Sequence, residues 1–196
     1  MSRENFVEIK NITKVQNLLK ETPNGVERAV SSAINRSLIT LKQDVKKEVT
    51  SNYGINSTEL EKAMITKKAT WTNLKGNIKA KSPLLSLHKF LKSANDKGIY
   101  VLIEKNHGKR KVQGNSNLKG QPFIARMKNG HKGIFQKKEK RKLQELKTLS
   151  IPQMLGSETI MEYLHNSRKV DEILEKNIER EIKRILKGHV WLSLLS

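Results

Sequence analysis

The strongest constraint on the fold is an apolar stripe near the start of the chain. Val26, Ala29, Val30, Ala33, Ile34, Leu38, Leu41, Val45 and Val49 recur at steps of three and four, and a helix of 3.6 residues per turn brings such positions onto one side. The spacing predicts one long amphipathic helix over residues about 24–51. Thr22 and Asn24 are residues of the capping type, and Pro23 suits a first helical position. A shorter helix, Ile9 to Lys20, is expected before it.

Tyr53-Gly54 ends the stripe, and Thr58 with Glu61 has the spacing of a capping box, which starts a short helix over about 58–64. From Ile65 the texture changes to β-branched residues alternating with polar ones: "ITKKATWT", "LKGNIKAKS", "GIYVLIEK" and "PFIARM". These predict four strands of one antiparallel sheet. Asn106 to Gly120, "NHGKRKVQGNSNLKG", reads as a polar loop or extended hairpin. The stretch after Phe135 is basic, turns apolar at Leu143, Leu146 and Leu149, and stops before Pro152.

A second stripe, Ile160, Leu164, Val170, Leu174, Ile178, Ile182 and Ile185, predicts a long closing helix begun by Ser157 and ended by Gly188. The expected class is therefore α+β, with two long amphipathic helices packed on a small, mainly antiparallel four-stranded sheet. At 196 residues one domain spanning 1–196 is the default. Its parts are N-terminal helices (about 9–64), the sheet (65–136), a C-terminal helical part (139–187) and an apolar tail (188–196).

Composition limits the function. An apolar share of 36% is low for an enzyme with a deep pocket, and 5% aromatic leaves few platforms for stacking bases. With no cysteine there is no thiolate nucleophile, disulfide or Cys-based zinc site. The N-terminus interleaves charges with apolar residues, and no run approaches the roughly 20 residues that span a bilayer. A soluble chain made in the cytoplasm, without a membrane partner, is expected.

Charge is the other constraint: 39 Lys+Arg face 19 Asp+Glu, a formal net charge of +20. From Lys105 to Lys142 the basic residues meet a single acid, Glu139, whereas the last helix mixes both signs. Lys109, Arg110 and Lys111, and then Lys128, Lys132, Lys137 and Lys138, are the DNA-proximal candidates. Such a field attracts phosphate whatever the fold. No helix-turn-helix, zinc finger or aromatic RNA-reading strand accompanies it, so contact is expected with nucleic-acid backbone and not with sequence.

Catalytic and metal motifs are thin. His88, His107, His131, His165 and His189 form no HxH or HxxxH pair. A His-Asn-His nuclease built from His107, Asn129 and His131 would lack acidic metal ligands nearby in sequence. Gly98-Ile99-Tyr100 resembles the opening of a GIY-YIG nuclease, but "GKRKV" stands where its partner motif belongs, and a strand accounts for the residues. Glu48, Glu59 and Glu61 are explained as caps or solvated faces. No catalytic, metal-binding or cofactor-binding residue is expected.

Two apolar segments remain. In "SIPQML", Ile151, Met154 and Leu155 surround Pro152 and either close the core or offer a docking edge. "HVWLSLLS", with Trp191 and Leu192, either folds back on the sheet or packs on a neighbouring subunit. These five residues are the subunit-interface candidates. In "KNGHKGIFQKK", Asn129-Gly130 marks an exposed hairpin turn, with Ile134 and Phe135 returning to the core.

Four blocks, "RAVSSAINRSL" (Arg28 to Leu38), "KATWTNLKGNIKAKSPLLSLHKF" (Lys68 to Phe90), "PFIARMKNGHKGIFQK" (Pro122 to Lys137) and "SIPQMLGSETI" (Ser150 to Ile160), give the chain from about 22 to 187 a resemblance to the minor tail protein Z family of tailed bacteriophages. The resemblance implies a non-enzymatic virion component, the tail completion protein at the head-proximal end of the tail. It further implies a closed, sixfold ring, with tail tube or terminator and neck connector proteins as partners, near the genome end. The competing classes are a sequence-independent nucleic-acid-binding protein and a basic nuclease. The polar Asn106–Gly120 segment and the apolar tail depart from the family's pattern.

Overall fold

The structure, a computed structural model, describes residues 24–139, 142–165 and 167–193, with side chains described outside 165–169 and 185–193. The helix expected from Ile9 to Lys20, the cap candidate Thr22 and the expected first helical residue Pro23 lie outside these residues. The described part is α+β, with helices and small antiparallel sheets. None of its helices is long and apolar enough to cross a membrane.

Helix α1 is Gly25–Asn52. Asn24 precedes it at φ 55, and its carbonyl accepts the Arg28 N–H at 2.9 Å. Of the predicted stripe, Ala29, Ala33, Leu38, Val45 and Val49 are buried, while Val26 at the open end is 39% exposed. The helix stops where Gly54 donates its N–H to the Ile103 carbonyl at 2.8 Å. A Cβ on Gly54 would lie 2.0 Å from the Leu102 carbonyl oxygen, so only glycine permits this approach. Helix α2, Ser57–Ala63, is capped by Asn56, whose side chain accepts the Thr58 N–H. The expected Thr58 to Glu61 box is therefore displaced: a better acceptor stands two residues earlier.

Eight strands follow: β1 Met64–Lys67, β2 Asn77–Ala80, β3 Leu91–Asn95, β4 Gly98–Val101, β5 Arg110–Lys111, β6 Lys119–Arg126, β7 Lys132–Glu139 and β8 Lys142–Glu145. They form three sheets, β1-β2, β3-β4-β5 and β6-β7-β8, in place of the single four-stranded sheet expected. All four predicted strands exist, but they are short, and tight hairpins pair β3 with β4 and β6 with β7 locally. Strand β7 had no alternation to read, because Gly133, Ile134, Phe135 and Gln136 are all buried.

Residues 139–149, assigned above to a helical part, include strand β8, antiparallel to β7. Leucines three apart fit a helix, but so short a window does not exclude a strand. Helix α3, Ile151–Leu155, opens with a capping box between Ser150 and Gln153 and carries Pro152 in its first turn. Then come α4, Glu158–His165, and α5, Ser167–Ser193. Gly188 lies inside α5 instead of ending it, since one helical glycine costs only about 1 kcal/mol relative to alanine.

The chain divides into two compact units. Of the described residues, one comprises 24–43, Thr66–Lys79 and 164–193; the other comprises Asp44–Ile65 and those within Ala80–Tyr163. In the first, Asn35 donates to the Ala69 carbonyl at 2.9 Å and accepts the Ala69 N–H at 2.8 Å, tying the loop after β1 to α1. Asn177 donates to Ser37 at 3.0 Å. Nearby Glu181, 0% exposed, lies 2.5 Å from Arg36 Nε and 2.9 Å from Arg184 Nε. Among the described residues, most of the buried apolar side chains lie in the second unit. Its 3-10 turn Leu87–Phe90 lies against both β4 and β7, with Phe90 fully buried.

Candidate polyanion-binding surface

The β6-β7 hairpin begins as chemistry requires. Gly130 donates to the Met127 carbonyl at 2.9 Å, Met127 donates to the His131 carbonyl at 2.8 Å, and Gly130 sits at φ 83. Asn129, whose φ is not positive, accepts the His131 N–H on its side chain at 3.1 Å. This is the three-residue turn with a left-handed glycine at its end, so glycine alone supplies the unusual backbone. Beyond the turn Ile134 and Phe135 are buried, as expected.

Burial of those two side chains holds the register, because a slip of one residue would exchange the faces on which Ile134 and Phe135 pack. The register in turn fixes which cations meet. Arg126 stands opposite Lys132, and Lys119 opposite Lys137. A carboxamide fastens the preceding loop. Gln136, 2% exposed, accepts the Asn115 N–H at 2.8 Å and donates to the Gly120 carbonyl at 2.8 Å. Both ends of a buried amide are thus satisfied, which burial demands.

All seven DNA-proximal candidates are exposed. Lys109 precedes β5; Arg110 and Lys111 form it, opposite Val101 and Tyr100. As strand neighbours they part: Arg110 lines a recess of about 220 Å³ with Glu104, His107 and Leu149, and Lys111 lines one of about 470 Å³ with Lys97, Pro122 and Ile124. Lys128 lies in the hairpin turn, Lys132 opens β7, and Lys137 and Lys138 lie near its far end. The triplet of basic letters is therefore two environments and not one patch.

Among the described residues, none of the seven has a carboxylate within ion-pair distance. Other lysines do: Lys46 with Glu61 at 2.6 Å, Lys89 with Glu59, Lys142 with Glu139 at 3.0 Å and Lys183 with Glu179 at 3.7 Å. The nearest acid to the hairpin turn is already engaged. Glu145 Oε1 lies 2.8 Å from His131 Nε2, and the imidazole meets the Phe135 ring edge-on at 6.3 Å. Burial alone would raise the Glu145 carboxyl pKa, but hydrogen bonds from Ser86 and His131 and the charges of His131 and Lys147 outweigh it. The net effect holds the carboxyl below its ordinary value.

Sequence reasoning missed the pairing of His131 with Glu145, 14 positions away in the chain, and the positions of Arg126 and Lys119 opposite Lys132 and Lys137. Only the strand register brings these together. His107 is likewise 2.5 Å from Glu104. Among the described residues, no three His, Asp or Glu side chains are grouped to hold a metal ion.

The interface candidates divide. Ile151 and Met154 are 1% and 0% exposed within the chain's own core, so they close that core and offer no docking edge. Their burial follows from the capping box, which turns both inward in the short helix α3. Leu155 is half-buried. Trp191 and Leu192 continue α5; their side chains lie outside the described part. Comparison of the chain with protein-family models, with curated proteins and with solved structures finds no match.

Proposed function

We propose that the chain is a structural virion protein of a tailed phage, a tail-completion component at the head-proximal end of the tail. In this reading it is a ring subunit, sixfold as in the family it resembles, that joins the tail tube or terminator to the neck connector. It holds the DNA end by its backbone without reading sequence, and it performs no reaction. Carrying the reading is one observation: seven exposed cations that have no acidic partner among the described residues, while Lys46, Lys89, Lys142 and Lys183 find carboxylates. Repetition around a closed ring multiplies such a field into a positive collar.

The four blocks that carry the resemblance coincide with tied-down parts of the fold. Asn35, in the first, bonds Ala69 in the second. The third is the β6-β7 hairpin, and the fourth contains the Ser150 to Gln153 capping box. A sequence-independent nucleic-acid-binding protein outside any virion is the second reading, favoured by the same unpaired cations.

The test replaces Lys128, Lys132, Lys137 and Lys138 together by Gln in the phage genome. Particles are then scored for assembly, DNA ejection and infectivity. Loss of infectivity by about tenfold or more, with tails still formed, is expected from losing several phosphate contacts. Undiminished infectivity, or absence of the protein from purified particles, would remove the virion reading and leave the second.

A further inference from the structure

A ring of identical subunits joined head to tail needs two different surfaces on each copy, one that enters a neighbour and one that receives it. Ile151 and Met154, expected at such an interface, are closed inside the core. Two other places on the chain carry exposed apolar side chains, and the charges around them have opposite signs.

The first is the loop between β1 and β2. Thr70 donates its N–H to the Asn73 carbonyl at 2.9 Å and Asn73 returns the bond at 3.1 Å, so Trp71 and Thr72 form a two-residue turn. The Thr70 hydroxyl also accepts the Asn73 N–H at 3.1 Å. Beneath the turn Asn35 of α1 holds both backbone groups of Ala69, and Gly76 lies so close that a Cβ there would meet the Leu38 side chain at 2.5 Å. The tip is thus held still, and it carries Trp71, 51% exposed, and Leu74, 40% exposed. An aromatic already fixed in place loses little freedom when it binds, and tryptophan is a common anchor of interfaces. Lys67, Lys68, Lys75 and Lys79 are the charges from Thr66 to Lys79, all exposed, with no acid in that stretch.

The second is the outer face of α4. Ile160 is fully buried, and Glu158, Met161 and Glu162, at the spacing of three and four that shares one helix face, are all exposed, Met161 by 37%. Among the described residues neither carboxylate has a cation within ion-pair distance. A thioether between two acids is the complement of an indole between lysines, since sulfur packs well against an aromatic ring. We propose that the Trp71 to Leu74 turn of one copy docks on the Glu158, Met161 and Glu162 face of the next. Trp71 meets the Met161 side chain, and Lys68 and Lys75 face the two carboxylates. This rests on the ring reading above and supplies its anchor residues. A second copy is the occupant because two chains of charge +20 repel at long range, so they can meet only where acids of one face lysines of the other. Each contact can be weak, because closing a ring makes the last one intramolecular.

The experiment follows self-association of the full chain by sedimentation velocity over a concentration series. Wild type is expected to associate as concentration rises. Trp71→Ala should weaken association about thirtyfold. Lys68→Glu with Lys75→Glu sets acid against acid, and Glu158→Lys with Glu162→Lys sets lysine against lysine; each pair should cost about tenfold or more. All four charge reversals in one chain restore opposite signs and should return association to within about threefold of wild type. A damaged fold could not be rescued in this way, and because the sites are exposed each variant should keep its Tm within about 3 °C.

If wild type associates and these substitutions leave it unchanged, this interface is overturned while the ring stands. Loss in each pair without recovery in the fourfold variant would also overturn it, since the charges then act on something other than each other. Intact association in Trp71→Ala together with weaker binding of single-stranded DNA would reassign the turn to base stacking. A wild-type chain that remains single at every concentration would instead defeat the ring itself.

Discussion

The Glu181 cluster of the helical unit and the β6-β7 hairpin of the β-rich unit treat charge in opposite ways. In the helical unit a fully buried carboxylate, Glu181, is met by guanidinium groups from α1 and from its own helix, and Lys183 finds Glu179. In the β-rich unit, cations stand opposite cations on the hairpin while its nearby acids are engaged elsewhere. Compensation marks the first as built for its own stability. The second bears a repulsion that its core overcomes, which is the expected condition of a surface completed by another molecule.

Breaking the helical unit's compensation gives the largest effect. Arg36→Met with Arg184→Met leaves the Glu181 carboxylate buried and unpaired, and urea unfolding should read a loss of about 3–5 kcal/mol. Glu181→Met should cost much less, within about 1 kcal/mol, because the two guanidinium groups are 43% and 65% exposed and can turn to water. If both variants cost the same, the contrast between the units is misdrawn.

In the β-rich unit the comparable lesion is polar. Gln136→Leu strands the Asn115 N–H and the Gly120 carbonyl and should cost about 2 kcal/mol. Lys137→Gln, one position on, should stay within about 0.5 kcal/mol. The smallest effect is the subtlest. The Glu145 carboxyl is held below its ordinary 4.5, so the stability it contributes is full above that value and is lost as pH falls through its lower folded value. Wild type should therefore exceed Glu145→Gln in stability at neutral pH, with the difference closing below pH 4.5.

The helices were legible because a stripe from Val26 to Val49 needs no distant partner to be recognised, and α1 ends within one residue of its predicted limit. The hairpin turn was legible from Asn129-Gly130 for the same reason. Sheet organisation was not. Strand β7 hides its period by burying both faces, and β8 imitates a helix through the spacing of Leu143 and Leu146. Of the candidate surface, the exposed cations could be named in advance. Their opposition across the ladder could not, since pairing Lys119 with Lys137 depends on an irregularity in β6 between Lys119 and Phe123 that no local pattern announces.

Gln136 closes a loop with no covalent bond. Because one carboxamide grips both Asn115 and Gly120, the short tongue between them is anchored at its two roots independently of what it contains. Foreign peptide spliced between Ser116 and Leu118 should be displayed outward with the ladder beneath it undisturbed, which makes this the natural place on the molecule for a graft or a tag.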